Sequence, residues 1–249
     1  MTSTEWFADS ALWMQKRNII FYRDRLLFTF MEVDHIIRLT NINGKASILD
    51  LCCGIGRHAI QFSRRGFEVT GIDITPEYLA IACDNARREN VPVDFLRGDM
   101  REEFGDNVFD LIINMFTSFG YFSDPADDRK VIGNCYQALK KNGKLLIEVI
   151  GKEVLAAHFN ASEVQEFDGY KISIDNKLSQ DWGWLESTWN IEKDNSINEL
   201  SYAHRLYSAA EMRALLSDAG FRDIKFYGDI SGKSKYDHTA KLMVVVAQK

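Results

Sequence analysis

Three acids stand where short apolar runs end: Asp50 after Ile48-Leu49, Asp73 in Gly71-Ile72-Asp73, and Asp99 in Gly98-Asp99-Met100. The first is followed by Leu51-Cys52-Cys53-Gly54-Ile55-Gly56-Arg57-His58. Glycines such as Gly54 and Gly56 let a backbone approach a ligand closely and take dihedrals that other residues avoid. An acid such as Asp73, ending the second strand of an α/β unit, accepts hydrogen bonds from ribose hydroxyls in nucleotide-type sites. The chemistry these residues suit is therefore the holding of a nucleoside-bearing ligand. Gly54-x-Gly56-x-x-Ala59 also fits the dinucleotide fingerprint, which keeps a nicotinamide or flavin enzyme open as a rival reading. Asp50 weighs against it, because a dinucleotide site needs no charge there, and so does the third acid, Asp99.

A second set could act on a substrate. Phe116, Phe119 and Tyr121 lie in Phe116-Thr117-Ser118-Phe119-Gly120-Tyr121, just beyond the carboxyl end of a strand, where α/β sheets bind ligands. His204, Arg205 and Tyr207 end a segment of period-two alternation, with Arg205 and Tyr207 on one face and His204 on the other. Surface pairing of strand residues is the plainer reading of these three. If a base is needed, His204 and Tyr121 are the candidates. The four cysteines, Cys52, Cys53, Cys83 and Cys135, have neither CxxC nor zinc spacing. They read as reduced thiols of a cytoplasmic protein, and no metal site is expected.

Charge is unevenly placed. The 249-residue chain has a formal net charge of −6. Residues 163–207 hold nine acids against four bases, a net of −5, together with Trp182, Trp184 and Trp189. An acidic, Trp-bearing stretch suits a cationic amine, with Trp184 as a candidate contact. A net negative chain is a poor nucleic-acid binder. No run of roughly 20 apolar residues exists to span a membrane, and the first residues lack the pattern of a secretory signal.

The elements that must position these residues follow from periodicity. Residues 1–43 read as helical, with apolar residues at three- and four-residue spacing, until Asn43-Gly44 breaks the pattern. Strands at 46–50, 67–73, 93–97, 109–115 and 144–150 then alternate with helices at 55–65, 76–90 and 124–142, which predicts a parallel sheet covered on both faces. Residues 163–207 predict about three antiparallel strands, with turns at Asp168-Gly169 and Asp194-Asn195. Ser208 and Glu211 form a capping box before a helix ending at Gly220. Strands at 221–227 and 241–247 close the chain.

Over residues 46–150, and again over 208–249, this sequence resembles the class I S-adenosylmethionine-dependent methyltransferases. Asp50-Leu51-Cys52-Cys53-Gly54-Ile55-Gly56 resembles their acid-x-Gly-x-Gly-x-Gly motif, with Cys52 at the first glycine position. Asp73 matches the ribose-binding acid, and Asp99 the acid that contacts the adenine amino group. Asn114-Met115-Phe116 matches the segment lining the methionine moiety. The motif run and the loop to Tyr121 look like the small-molecule branch, similar to amino-sugar N-methyltransferases, which carry an antiparallel insertion in the same place.

The resemblance implies an α/β fold: a Rossmann-like seven-stranded class I methyltransferase sheet, an antiparallel β insertion after strand five and an N-terminal helical cover. As one domain over 1–249 it divides into the cover (1–43), the cofactor-binding core (44–160), the insertion (161–207) and a C-terminal helix and hairpin (208–249). The implied cofactor is S-adenosyl-L-methionine, with S-adenosyl-L-homocysteine as product. Asp50, Cys52, Gly54, Gly56, Asp73, Ile74, Asp99, Met100, Asn114 and Tyr22 of the cover would bind it. Phe116, Phe119, Tyr121, Arg205, Tyr207 and Trp184 would meet the acceptor. The expected reaction is in-line methyl transfer to N or O of a small molecule. Alternatives are a nicotinamide-dependent oxidoreductase and a non-catalytic S-adenosylmethionine-binding scaffold. Partners would be the small-molecule acceptor and a second copy through the insertion, with no nucleic acid. Amino-directed nucleobase enzymes carry Asp/Asn-Pro-Pro-Tyr/Phe where this chain has Asn114-Met115-Phe116-Thr117.

Overall fold

In the computed structural model, which describes residues 5–194 and 196–249, the N-terminal stretch is two helices. A 3-10 turn, Trp6–Ala8, leads into α1 (Ser10–Ile20), and α2 (Arg23–Thr40) follows. The Asp9 carboxylate accepts from the Ala11 and Leu12 amides and starts α1. Phe21 leaves helical dihedrals and Tyr22 is extended, which separates the two helices. α1 buries one face, Leu12, Lys16 and Ile19. α2 buries Val33 and Ile36 but leaves Leu26, Leu27, Phe28 and Phe30 exposed.

The core then alternates: β1 (Ser47–Leu51), α3 (Arg57–Ser63), β2 (Glu68–Asp73), α4 (Pro76–Glu89), β3 (Asp94–Arg97), β4 (Phe109–Asn114), α5 (Pro125–Ala138), β5 (Leu139–Val149) and α6 (Lys152–His158). The insertion follows as β6 (Ser162–Phe167), β7 (Tyr170–Ser179), β8 (Trp184–Lys193) and β9 (Ser196–Arg205), and the chain ends with α7 (Ala209–Asp218), β10 (Arg222–Tyr227) and β11 (Met243–Gln248). The main sheet runs β10-β11-β5-β4-β1-β2-β3; β11 is antiparallel to both neighbours and the other pairs are parallel. Its inner strands are continuously apolar, as Ile48, Leu49, Leu111, Ile112 and Ile113 show, because helices cover both faces. The chain builds outward from β1 to β3 and then crosses back to β4. The carboxyl ends of β1 and β4 therefore flank a switch point, where such sheets bind ligands.

Three elements differ from expectation, of which α6 (Lys152–His158) has no counterpart among the predicted helices. α5 stops at Ala138, because Leu139 is already extended; Asn142, at φ 66, is an irregularity inside β5, whose pairing with β4 shifts register. The insertion has four strands rather than three. β6 escapes period-two reading because Ser-Glu-Val-Gln-Glu-Phe is an edge strand with little buried on either side. The Asp168-Gly169 turn forms with both residues at positive φ, the geometry of a tight hairpin. Asn195 of the other expected turn lies outside the described residues. The Ser208–Glu211 capping box forms in full. Among the described residues no helix is long and apolar enough to cross a membrane.

Candidate active site

A crevice opens at the carboxyl ends of β1, β2, β3 and β4, lined by residues from all four strand ends. Its floor is the turn after β1. Cys52, Gly54 and Gly56 are all left-handed there, at φ 65, 56 and 77. The glycines adopt this freely; a residue with a Cβ pays about 1–2 kcal/mol. A Cβ on Gly54 would stand 2.9 Å from Phe21 Cζ, so the bare glycine is what lets the Phe21 ring close over the turn.

The Gly54 amide donates to Asp73 Oδ2 and the Thr75 amide to Asp73 Oδ1, both at 2.8 Å. The Thr75 hydroxyl and the Ile74 amide also contribute hydrogen bonds to this carboxylate. Burial raises the Asp73 pKa against these amides. Asp50 is more deeply buried; it accepts the Ala59 amide at 3.1 Å, and burial pushes its pKa up to about 7. Asp99 is already well supplied. It accepts the Arg101 amide at 2.8 Å, Nε at 3.1 Å and Nη2 at 2.6 Å. Burial acts to raise its pKa, but the Arg101 hydrogen bonds outweigh it and hold the carboxyl low. Arg101 Nη2 also meets Glu5 Oε1 at 3.1 Å, which ties the N-terminal segment to the end of β3.

Of the expected cofactor residues, Asp50, Cys52, Gly54, Asp73, Ile74, Asp99 and Met100 line the cavity. Gly56 does not; its missing side chain makes room for Phe95, whose Cζ would be 2.7 Å from a Cβ. Asn114 sits behind the wall, with Nδ2 donating to the Leu51 carbonyl at 3.2 Å and Oδ1 buried without a partner among the described residues. Tyr22 turns away to Phe167, 5.8 Å between ring centroids, and Phe21 takes the place over the turn.

Sequence reasoning gave too little weight to the aromatic cover and to α3. Phe7, Trp13 and Phe21 line the cavity with Tyr78, whose hydroxyl donates to the Trp13 carbonyl. Their signal is the aromatic density of the first 21 residues. Arg57 and His58 also line it; both meet the Glu32 carboxylate on α2, His58 Nε2 at 3.0 Å. Burial lowers His58 to about 4. Burial also acts to raise Glu32, but the His58 hydrogen bond and the Arg57 charge hold it at about 2. No local sequence signal joins residues 26 positions apart on two helices.

Among the expected acceptor residues, Phe116 and Tyr121 line the cavity. Burial raises the Tyr121 pKa, so the phenol keeps its proton at neutral pH and is a donor rather than a base. Phe119 is core, 5.6 Å from the Tyr207 ring. Arg205 and Tyr207 both serve Asp128 on α5, Nε at 3.0 Å and the hydroxyl at 2.7 Å. Trp184 lies beside the Arg205 guanidinium, 5.5 Å away. His204 is on the other face of β9, outside the cavity, and burial lowers it to about 4.

Comparison with known proteins agrees with this layout. A family model described as "Methyltransferase domain" matches residues 48–143. A glycine/sarcosine N-methyltransferase of Parasynechococcus marenigrum is 28% identical over 203 residues, covering 80% of this chain and 71% of that one. The CcbJ methyltransferase of Streptomyces caelestis superposes with a TM-score of 0.77 at 15% identity, over 87% of this chain and 94% of that one. CalS10, an S-adenosylmethionine-bound amino pentose methyltransferase of Micromonospora echinaspora, does so with 0.60 at 21% identity, over 87% of each.

Proposed function

The chain is an S-adenosylmethionine-dependent methyltransferase, and from that premise we propose that it methylates a nitrogen or oxygen of a small molecule. The observation that carries the site assignment is the placing of Asp50, Asp73 and Asp99 at three adjacent strand ends around one left-handed turn. Nitrogen is favoured by the relatives named glycine/sarcosine N-methyltransferase.

The residues present fit the cofactor. Asp73, lining the crevice at the end of β2, would present its carboxylate to the ribose hydroxyls. Ile74 and Met100 form apolar walls for the base. Asp99, already bonded to Arg101, would accept from the adenine amino group. Asp50 would hold the methionine ammonium, and Arg57, which also lines the crevice, would offer positive charge to its carboxylate. S-adenosylmethionine held there would supply its sulfonium methyl group to the acceptor's lone pair, sulfur keeping the bonding electrons, and the acceptor's proton would pass to solvent once the product leaves. Phe7, Trp13, Phe21 and Tyr121 exclude water from the cavity and strengthen the pull of its acids on a cation. Tyr121 orients the acceptor by donating a hydrogen bond.

Thermal unfolding with S-adenosylhomocysteine and with NADH tests the cofactor half. A ligand at 100 times its Kd adds about 2.7 kcal/mol to a folded state that alone binds it. Stabilisation by NADH and none by S-adenosylhomocysteine overturns the reading. S-adenosylhomocysteine release across a panel of amines and alcohols tests the transfer half, and binding without turnover on any of them leaves only a scaffold.

A further inference from the structure

The insertion turns two different faces to its surroundings. Antiparallel register puts Glu166, Asp175, Glu186, Glu192 and Glu199 on one face. The opposite face carries Ile174, Ser187, Trp189, Tyr202 and His204, and α1 packs over it. Among the described residues Glu163 is the single acid of the four strands on that inner face, and its carboxylate accepts from Gln165 Nε2 at 3.2 Å. The acidity of the segment therefore points away from the interior, which removes the geometric basis for a cationic acceptor held by the insertion.

What the inner face holds instead is donors. Lys16 projects from the buried face of α1, 4% exposed, with Nζ 3.4 Å from the Tyr202 ring centroid and 4.5 Å from that of Trp189. Among the described residues it makes no hydrogen bond and no ion pair. Both ring nitrogens of His204 are likewise buried and without partners, and Trp189 Nε1 has only the Tyr202 hydroxyl beside it. Buried polar groups in folded proteins are nearly always paired, and an isolated buried charge is costly. The two aromatic rings offset part of that cost. Burial pulls the Lys16 pKa down to about 7, a state that an anion brought beside it would reverse. The cluster adjoins the cofactor cavity: the Trp6 ring touches Tyr202 at 5.8 Å on one side and the cavity-lining Tyr121 at 4.7 Å on the other.

We propose that Lys16, His204 and Trp189 form the acceptor's anchoring subsite and that it receives a carboxylate, so that the acceptor is a small organic acid whose nucleophilic atom reaches past Tyr121 into the cofactor cavity. The inference rests on the methyl-transfer reading. Lys16 Nζ and the His204 ring both lie against the Tyr202 ring, with Trp189 beside it, and a carboxylate, with two oxygens, can take more than one of these donors.

The test is calorimetric binding to the full chain loaded with S-adenosylhomocysteine. The probes are acetate, glycine, N-methylglycine and phenylacetate, each against its neutral amide. At least one acid binds ten times more tightly than its amide. Lys16→Gln removes that preference, and Trp189→Phe, which keeps one aromatic ring while deleting the N–H donor and the indole's second ring, weakens it severalfold. S-adenosylhomocysteine affinity is unchanged in both variants. Equal binding of every acid and amide overturns the proposal, as does an acid preference that survives both substitutions. If Lys16→Gln does not fold, Trp189→Phe and His204→Phe carry the same reading. Failure of S-adenosylhomocysteine to bind the unmodified protein is a different result and overturns the cofactor assignment instead.

Discussion

The Gly54 amide donates to Asp73 Oδ2 at 2.8 Å, which makes the turn after β1 and the acid ending β2 one hydrogen-bonded unit. Asp73 thus has two duties, fixing the turn and accepting ribose hydroxyls. Asp73→Ala deletes both. Two hydrogen bonds to a charged group, at about 1.5 kcal/mol each, predict roughly a 100-fold loss of S-adenosylhomocysteine affinity by calorimetry. Asp73→Asn keeps one oxygen acceptor and falls in between. Unchanged affinity in Asp73→Ala would place the ribose elsewhere.

Gly54 and Gly44 separate backbone strain from crowding. Both have left-handed backbones, at φ 56 and 63, but a Cβ on Gly44 meets nothing within 4 Å whereas one on Gly54 meets Phe21 Cζ at 2.9 Å. Gly44→Ala is expected to cost about 1 kcal/mol of stability by urea unfolding. Gly54→Ala costs more, and it alone weakens cofactor binding, because Phe21 must leave the turn. Equal costs and equal affinities would mean that Phe21 is not part of the cover.

These residues also show what a sequence can carry. Asp50, Gly54, Asp73 and Asp99 were legible because each is tied to a strand end, and the order of strands brings strand ends together. The capping box at Ser208 was legible because it is local. Gly56 came from the glycine motif, Tyr22 from the helical cover, and Arg205 and Tyr207 from the end of the alternating segment; in the fold they meet Phe95, Phe167 and Asp128. Tyr22 fails by one residue, since a helix break decides which neighbouring ring faces inward. Lys16 was invisible for a plainer reason: a lysine at Leu12-x-x-x-Lys16-x-x-Ile19 spacing reads as solvated until a second sheet is seen to cover it. The insertion's inward and outward rows were implicit in its alternation, but which row met α1 was not.

Glu148 at the end of β5 makes a pH prediction. It is buried, accepts the Phe116 amide at 3.2 Å, and burial pushes its pKa up to about 7 from 4.5. Between those values the folded chain holds a proton that the unfolded chain has released, so stability falls as pH rises through this window and the loss is complete above about 7. Glu148→Gln keeps an acceptor for Phe116 and cannot titrate. It should therefore gain on the parent across pH 4.5–7, by up to about 3 kcal/mol. Urea midpoints at pH 4.5, 6 and 7.5 read this directly, and parallel profiles would mean that Glu148 is solvated in the folded chain. His58, lowered to about 4, acts oppositely, costing stability as pH falls below 6.5, and is common to both proteins.

Asp128 distinguishes a structural latch from an acceptor site. Its carboxylate is fully buried on α5 and takes the Arg205 Nε and the Tyr207 hydroxyl, both from the end of the insertion. Burial raises its pKa to about 6, opposed by the Tyr207 hydrogen bond and the Arg205 charge. Asp128→Ala strands the Arg205 guanidinium, 12% exposed, and predicts a loss of about 3–5 kcal/mol. Tyr207→Phe is the sharper test because it removes one hydrogen bond and little volume. It is expected to cost about 1 kcal/mol of stability while changing S-adenosylhomocysteine affinity and the KM of the acceptor found by panel less than twofold. The reverse pattern, an unchanged unfolding midpoint with KM raised tenfold, would return Tyr207 and Arg205 to the acceptor.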